Sequence, residues 1–324
     1  MSQAPSRRAS ADDRFFRLGT GFFAFLIVAL VVAIFFGLFQ SSRLSISKFG
    51  FHFWRTKVWD PVAGDFGALP FIWGTLYSSL LALLLSTPVA LGIAVFLSEL
   101  SPRPLRKPLA FLTELLAAVP SIVYGLWGIF VLVPVVRRLQ TMTPGWLKSV
   151  PFFSGPPLGV GMGAAALILA VMVIPFTSSV AREVLKAVPA TQREAAYALG
   201  ATRWEAIQAA LRYGRAGIIG SVILGLGRAI GETMAVTMVI GNNPQIRLSL
   251  FAPQHTMAAV IANEFTEAAD NLYLSALIEI GLVLFVITLI INVLSRLLIW
   301  SVRRDVRVQK TKVPGAASAA KAAA

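Results

Sequence analysis

The chain has 324 residues, of which 56% are hydrophobic and only 14% are charged, and its mean hydropathy is +0.75. Soluble domains contain about 25% charged residues, so this composition excludes an ordinary soluble protein and indicates a membrane protein. The sequence has no cysteine and only two histidines, which excludes a disulfide framework and a cysteine-based zinc or iron–sulfur site and disfavours a histidine metal site.

Six apolar segments are long enough to cross a bilayer, which requires roughly 20 predominantly apolar residues per helix. They cover residues 18–39, 72–98, 109–136, 158–180, 216–240 and 274–300. The sequence therefore predicts an all-α, multi-span integral membrane protein with six transmembrane helices.

The first apolar segment follows four arginines, a beginning that is also typical of a signal peptide. Its apolar stretch, residues 18–39, is longer than the roughly 7–15 residues of a signal-peptide core, and no small-residue cleavage site follows it. We therefore predict an uncleaved, peripheral first transmembrane helix. Residues 1–17 precede it in the cytoplasm, and residues 40–71 form an extracytoplasmic loop after it.

Lysine and arginine are distributed unevenly between the segments that connect the predicted spans. Of the 29, 20 lie in the two terminal segments and the loops 99–108 and 181–215, and 8 lie in the alternate loops. Because basic loops remain in the cytoplasm, both termini are predicted to be cytoplasmic. The net charge of +14 is thus an orientation signal, and no nucleic-acid partner is predicted. The basic, alanine-rich tail, residues 301–324, has the composition of a disordered segment whose start meets anionic membrane lipid.

Loop 181–215 carries the signals of a short helix held between two breaks. Pro189 stops a first helix, and Gly200 suits the left-handed position that follows the end of a second. The sequence predicts this second helix from about Gln192 to Leu199. It is either a solvated connector or a knob that docks into another protein.

Two capping-box patterns mark the helix starts in this loop. In each, a threonine is followed three residues later by a glutamate: Thr191 with Glu194, and Thr202 with Glu205. The first pattern is expected to start the short helix, and the second is expected to start the helix after it.

The fifth predicted span carries two charged residues, Arg228 and Glu232. Arg228 is expected roughly 18 Å into a hydrocarbon core about 30 Å thick, where an arginine costs about 2.5–3.5 kcal/mol. Glu232 is four residues further on and is expected on the same helix face. The two residues form either an intrahelical ion pair that fixes the packing or part of a polar path through the bundle.

The run Glu194-Ala195-Ala196, followed after three residues by Gly200, resembles the EAA loop of ABC-importer permeases. The resemblance implies that this helix is a coupling helix that sits in a cleft of an ATPase subunit. Small alanines would permit a close fit, Glu194 would cap a turn or pair with a basic partner, and Gly200 would permit the reversal of the chain.

The sequence departs from the family pattern further downstream. The family continues to an Ile-x-Leu-Pro element, whereas Ala210, Arg212 and Tyr213 stand at the corresponding positions here. This departure leaves open whether the chain bends after the coupling helix, and it does not change the assignment of that helix.

Four further segments resemble the PstC-type permeases of high-affinity phosphate importers. They are Phe66–Thr75, Pro120–Val131, Phe153–Met162 and Gly227–Gly241. The resemblance extends from about residue 66 to 300. It implies the type I ABC importer permease fold, with residues 72–300 as the core and loop 181–215 as the coupling loop.

The same resemblance implies the partners and the location of the chain. It would form half of the translocation pathway in the bacterial cytoplasmic (inner) membrane, with a sister permease of the PstA type, two ATPase subunits and an extracytoplasmic phosphate-binding protein. The chain contains no Gly-x-x-x-x-Gly-Lys-Ser/Thr loop to cradle phosphates. This agrees with the resemblance, which implies that the chain is not an enzyme and holds no cofactor, and that ATP and Mg bind to the partner ATPase.

A phosphate pathway would use the charges of the fifth span. The guanidinium of Arg228 presents a planar fork to phosphate oxygens, Glu232 would tune the field, and the adjacent Thr233 would add a hydroxyl group. Such hydroxyl groups in membrane helices also bond to the backbone of their own or a neighbouring helix. Weaker pathway candidates of this kind are Thr75, Ser121 and Tyr124.

Two alternatives remain open at this point. One is an ABC permease for another oxyanion, such as sulfate, molybdate or phosphonate. The other is a gradient-driven transporter, which would have no need of a coupling helix.

Overall fold

Nearly the whole described chain is helical, as the long apolar segments predict. The computed structural model describes the backbone of residues 11–311 and the side chains of residues 15–302. Within these limits six helical segments are long and apolar enough to cross a membrane, by length and composition. They cover residues 15–41, 69–100, 121–142, 162–186, 203–230 and 271–302. The prediction of an all-α chain with six spans is confirmed.

The described chain contains thirteen α-helices. In chain order they are α1 (Ala11–Ser41), α2 (Arg43–Phe49), α3 (Leu69–Val95), α4 (Arg103–Ala118), α5 (Ser121–Trp127), α6 (Val133–Met142), α7 (Gly145–Lys148), α8 (Met162–Lys186), α9 (Ala190–Ala198), α10 (Arg203–Ile230), α11 (Met234–Thr237), α12 (Met257–Glu264) and α13 (Asn271–Thr311).

Four short helical segments and one small hairpin complete the secondary structure. The segments are the 3-10 turns Gly50–Trp54 and Pro151–Phe153 and the π-helical turns Phe96–Leu100 and Gly128–Leu132. The hairpin pairs β1 (Trp59–Asp60) with β2 (Asp65–Phe66) in antiparallel orientation, with Trp59 opposite Phe66.

Helix α8 lies at the centre of the bundle, between α3 and α10. Small residues permit the close approach of α10 to α8. A Cβ atom on Gly225 would lie 2.5 Å from Oγ1 of Thr177, and one on Gly217 would lie 2.6 Å from Cγ1 of Val184. These glycines of the fifth span therefore serve packing within this chain.

The two ends of the chain extend away from this core. Helix α1 is exposed along its apolar length and makes its main contacts with α13. Helix α13 continues to Thr311, so residues 301–311, which were predicted to belong to a disordered tail, are helical. The rest of the predicted tail, residues 312–324, and residues 1–10 of the N-terminal segment lie outside the described residues.

The third span differs from the prediction of residues 109–136. Helix α4 ends at Ala118, Val119 is extended, and α5 begins after Pro120. The proline ring disfavours the helical conformation of the residue before it, which explains the break. The membrane-length segment is therefore 121–142, and α4 is a separate amphipathic helix.

The fifth span also differs from the prediction of residues 216–240. Helix α10 begins at Arg203, because Thr202 and Glu205 form the predicted capping box at its start. It ends at Ile230, and residues 231–233 are not helical. A span predicted from hydropathy alone therefore misplaces both the start and the end of this helix.

Candidate functional site

The break at residues 231–233 is the first feature of the candidate site. Arg228 lies in the last turn of α10, and Gly231 follows the end of that helix. Glu232 accepts a hydrogen bond through Oε1 from the backbone N–H of Ala235, at 3.1 Å, and so supports the start of the short helix α11. Non-helical backbone within a membrane protein is tolerated where it is buried in protein or lines a wet cavity.

The expected pairing of Arg228 with Glu232 on one helix face is wrong. The i, i+4 relationship requires a continuous helix, and α10 ends between the two residues. Within the part of the chain whose side chains are described, no salt bridge joins them. Arg228 therefore lies in the last turn of one helix, and Glu232 lies in the break that follows it.

Arg228 has an aromatic neighbour that the sequence did not reveal. Its guanidinium carbon lies 5.4 Å from the centre of the Phe176 ring on α8, a cation–π distance. The Nε atom is buried and has no hydrogen-bond partner. The arginine is held by packing while part of its hydrogen-bonding capacity remains free.

Helix α5 packs against α11 beside this break. A Cβ atom on Gly125 would lie 2.6 Å from Sδ of Met238 and 3.1 Å from Cα of Ala235. The preceding residue, Tyr124, is close enough to Arg228 for a Coulombic interaction. Its hydroxyl group donates a hydrogen bond of 2.8 Å to the carbonyl of Leu116.

The other predicted pathway residues fall into two groups. Thr233 lies in the break and is half-buried, and Ser121 is the half-buried first residue of α5. Thr75 is buried elsewhere, between α3 and α12. Its hydroxyl group donates to the carbonyl of Phe71 at 2.8 Å and accepts from the N–H of Met257 at 2.9 Å. The structure thus brings Tyr124 near Arg228, places Thr233 in the break that follows, and places Thr75 in a structural contact.

His255 lies next to this structural contact. It is buried, its ring centre lies 5.4 Å from that of Phe71, and its carbonyl oxygen would lie 2.0 Å from a Cβ atom on Gly74. Burial lowers the pKa of His255 to about 4. The imidazole is therefore neutral at physiological pH and belongs to the core.

A second cluster fixes the hairpin to the bundle. One oxygen of Glu264 accepts hydrogen bonds from Nε1 of Trp59, at 2.8 Å, and from the hydroxyl group of Tyr273, at 2.5 Å. Phe66 stacks on the Tyr273 ring at 5.3 Å. Nothing in the spacing of the sequence indicates the acceptor that Trp59 and Tyr273 share.

The predicted coupling segment forms helix α9. It begins at Ala190 and none of its nine residues is buried. Glu194, Ala195 and Gly200 are exposed and Ala196 is half-buried. Gly200 has a φ of +82°, and a Cβ atom added there would meet no atom within 4 Å, as expected for the left-handed residue after a helix.

One predicted detail of this segment is wrong. The capping box of Thr191 and Glu194 does not form, because α9 begins two residues earlier, directly after Pro189, and no side chain caps it. Pro189 can precede the helix without a side-chain cap. Its fixed φ leads into the first helical turn without strain. Glu194 is therefore free of a capping role and lies on the exposed side of the loop.

The structure settles whether the chain bends where the family pattern has its proline. Helix α10 runs without interruption through Arg212 and Tyr213, the positions where the family pattern bends. Next to the α9–α10 turn is an open hollow of about 520 Å³ whose lining includes Ala196, Gly200 and Arg212.

The fold and the exposed α9 helix define a class of membrane transport component. The family of binding-protein-dependent transport system inner membrane components matches the chain over residues 86–304. The chain therefore belongs to this family of multi-pass inner-membrane permeases. Membership implies a binding protein and an ATPase as partners, and it makes this chain the permease component rather than the catalytic one.

Three proteins that are similar to this chain are named as phosphate transport permeases or probable ones. The phosphate transport system permease protein PstC of Mesorhizobium japonicum is 46% identical over 90% of this chain and 91% of its own length. PstC of Haemophilus influenzae is 46% identical over 93% of this chain and 95% of its own. A probable PstC of Methanocaldococcus jannaschii is 35% identical over 85% of this chain and 88% of its own.

Comparison with a solved structure gives evidence about the fold but not about the function. A chain of the MetNI methionine ABC transporter, in an inward-facing conformation, superposes with a TM-score of 0.55 at 16% sequence identity. The match covers 71% of this chain and 94% of that chain. The expected permease fold is thereby confirmed.

Proposed function

We propose that this chain is the permease subunit of an ATP-driven importer of inorganic phosphate. The relatives that are named as phosphate transport permeases match it over nearly its whole length. The observation that carries the proposal is Arg228, a half-buried arginine at a helix break with an unpaired Nε. An anion crossing the membrane needs positive charge and hydrogen-bond donors that do not hold it permanently.

Arg228 would contact the phosphate oxygens in passing. Its guanidinium is anchored against Phe176, so the fork keeps its orientation while the ion moves. Glu232, fixed by its bond to Ala235, would place a negative charge near the path and limit the residence time of the anion. Thr233 lies in the same break and would supply a hydroxyl group, and Tyr124 would donate to the ion by exchanging its bond to the Leu116 carbonyl.

Two predicted residues have weaker roles in this proposal. Ser121 begins α5 and could donate to the path from its half-buried position. Thr75 would act through structure, since both of its hydrogen-bonding functions are used between α3 and α12. Its proposed contribution is to hold α12 against α3.

Helix α9 would deliver the energy of ATP to the pathway. Its exposed Glu194, Ala195 and Ala196 would sit in the cleft of an ATPase subunit, and Gly200 would set the angle to α10. ATP and Mg would bind to that subunit. The closing and opening of two ATPase subunits would move α9 and switch the accessibility of the path.

The complete importer would contain four kinds of subunit. This permease would pair with a sister permease, the two ATPases would bind on the cytoplasmic side, and a phosphate-binding protein would dock on the opposite face. The excess of basic residues in the terminal segments and in the loop around α9 supports a cytoplasmic location of both termini.

The test is anion uptake by the reconstituted complex in vesicles with ATP inside or outside. Wild type is expected to accumulate radioactive phosphate, but not sulfate, only when ATP reaches the ATPase side. Arg228→Gln, checked for assembly, is expected to lower this uptake at least tenfold. Preferential uptake of sulfate, molybdate or phosphonate would replace the proposed substrate, and uptake that follows an ion gradient without ATP would contradict the importer class.

A second test addresses α9. Binding of the ATPase subunit to the membrane-embedded permeases is measured for wild type and for Glu194→Lys combined with Gly200→Pro. We expect the double variant to lose binding. Unchanged binding would remove α9 from the coupling interface.

A further inference from the structure

Helix α9 is attached to the bundle by one arginine. The guanidinium of Arg193 forms a salt bridge with Glu99, with Nη2 2.5 Å from Oε1. Its Nε lies 3.2 Å from Oε1 and 3.1 Å from Oε2 of the same carboxylate. Both side chains are largely shielded, with 22% of Arg193 and 13% of Glu99 exposed. Shielding from water strengthens the Coulombic attraction between the two charges, and removing one partner would leave the other charge shielded and unpaired.

The same guanidinium also binds the end of α8. Nη1 donates to the carbonyl of Val188 at 3.0 Å, and Nη2 donates to the carbonyl of Leu185 at 3.0 Å. Carbonyl groups at the C-terminal end of a helix have no partner within the helix and carry partial negative charge. A cation is the natural partner for them, so Arg193 connects α9 to the end of the central helix.

Glu99 is itself held in an unusual segment. It lies in the π-helical turn Phe96–Leu100 that continues α3, where the N–H of Ser101 donates to the carbonyl of Phe96, five residues earlier, at 2.7 Å. Arg203, the first residue of α10, donates through Nη2 to the Glu99 carbonyl at 2.9 Å. Single π-helical turns occur frequently at functional positions.

We infer that Arg193 and Glu99 form a positioning pair that transmits movement of α9 to the transmembrane helices. The inference rests on the proposed function, in which α9 docks into the ATPase. No residue of α9 is buried, so apolar packing cannot fix its orientation. The pair joins α9 to the ends of α3 and α8, and Arg203 joins the start of α10 to the same glutamate. A displacement of α9 then moves three helices together.

The alternative is an ion pair that contributes to folding alone. The two roles differ in what they do to an assembled complex. A folding role would lower the amount of complex and leave each assembled complex normal. A positioning role would leave ATP hydrolysis running while less phosphate is moved for each ATP hydrolysed.

The experiment measures phosphate uptake and ATP hydrolysis in the same vesicles, with the complete complex and the binding protein. We expect Arg193→Gln and Glu99→Gln each to lower the ratio of phosphate moved to ATP hydrolysed at least fivefold. The double variant is expected to be no worse than the more severe single variant, because the pair acts as one unit. Arg193→Lys keeps the charge without the fork and is expected to lie in between.

Lys186→Gln is the matched control. Lys186 is a cation at the same end of α8, but 45% of its side chain is exposed and its partner is Glu183, three residues earlier in the same helix. The ratio is expected to stay at the wild-type value. An equal fall with Lys186→Gln would show a general effect of charge and overturn the inference.

Hydrogen exchange in the complete complex provides a readout that does not depend on the substrate. The amides of residues 190–200 are expected to exchange at least tenfold faster in Arg193→Gln than in wild type. Assembled variants with unchanged exchange and an unchanged ratio would overturn the positioning role. A wild type that moves no phosphate would overturn the proposed substrate, while the exchange measurement still decides on the pair.

Discussion

Glu232 and Ala235 are joined by a hydrogen bond of 3.1 Å between a carboxylate oxygen and a backbone N–H. This contact makes Glu232 a capping group at the start of α11 and separates it from the helix that carries Arg228. The charge that the sequence placed on the face of a continuous helix therefore stands at a turn. Substitutions of Glu232 can therefore distinguish its contribution as a cap from its contribution as a charge.

We expect Glu232→Ala to lower the free energy of unfolding by about 1 kcal/mol, because an N–H of α11 loses its partner. Glu232→Gln retains an acceptor and is expected to keep near wild-type stability while phosphate uptake falls several-fold. Thermal unfolding of the purified complex and uptake in vesicles measure the two effects. Full uptake in Glu232→Gln would show that the cap, and not the charge, is what the pathway requires.

The contact between Arg228 and Phe176 gives a second prediction. Phe176→Leu keeps an apolar side chain but removes a cation–π interaction worth about 0.5–2 kcal/mol. We expect uptake to fall about 2- to 10-fold, since the guanidinium loses its fixed orientation. Phe130→Leu is the control, because that ring is 74% exposed. Equal uptake in both variants would exclude Phe176 as a support for Arg228.

Helix α5 approaches α11 closely because Gly125 has no side chain. Gly125→Ala would bring a Cβ atom to 2.6 Å from Sδ of Met238 and 3.1 Å from Cα of Ala235. We expect the melting temperature of the complex to fall, with a cost of about 1–3 kcal/mol for overpacking. Gly92→Ala, where no atom lies within 4 Å of the added Cβ, should be neutral or stabilising, as alanine is the better helix former. A fall of similar size in both variants would contradict this packing.

Gly200→Ala tests the backbone conformation after α9. No atom surrounds the position, so the only expected cost is that of a left-handed conformation for an L-residue, about 1–2 kcal/mol. If α9 reorients to relieve this strain, the affinity for the ATPase subunit should fall about 5- to 30-fold in a binding titration. Gly145→Ala, also without neighbours and without a positive φ, should leave the affinity unchanged. Wild-type affinity in Gly200→Ala would mean that the turn tolerates either residue.

His255 predicts a dependence of stability on pH. Its pKa is lowered from 6.5 to about 4 by burial, so the unfolded chain binds a proton at this residue before the folded chain does. Stability is therefore fully present above pH 6.5 and is lost as the pH falls towards 4, by about 3 kcal/mol in total. His255→Gln should flatten the fall in melting temperature between pH 7 and pH 4.5. His52→Gln, which changes the exposed histidine, should not; a wild type whose melting temperature does not fall would refute the assignment.

The sequence predicted the large features well because they depend on composition. Six long apolar segments have no alternative to membrane-length helices. The helix boundaries at Gly200 and at the pair of Thr202 and Glu205 are set by local signals, which act within one turn of the chain. The break signals Pro189 and Gly200 located α9 to within two residues of its observed start. Such signals need no knowledge of tertiary contacts.

The details of the candidate site could not be predicted in the same way. Apolar residues continue past Ile230 and before Ser121, so hydropathy hides the breaks next to Gly231 and Pro120, although the proline is a readable signal. Phe176 and Glu99 lie far in sequence from Arg228 and Arg193. Nothing in the spacing of these residues indicates that they meet, and only the tertiary fold joins them.

The break after Ile230 divides the fifth span between two sets of neighbours. Both portions contact α8, but the long portion, α10, also packs on α3 and α13 and begins where Arg203 holds Glu99. The short portion, α11, packs instead on α5 and α12 in addition to α8. A continuous rod would have to turn as a whole, whereas two rods joined at a hinge can differ in their motion. If α9 moves as proposed, α10 can therefore carry Arg228 with it while α11 turns by a different amount.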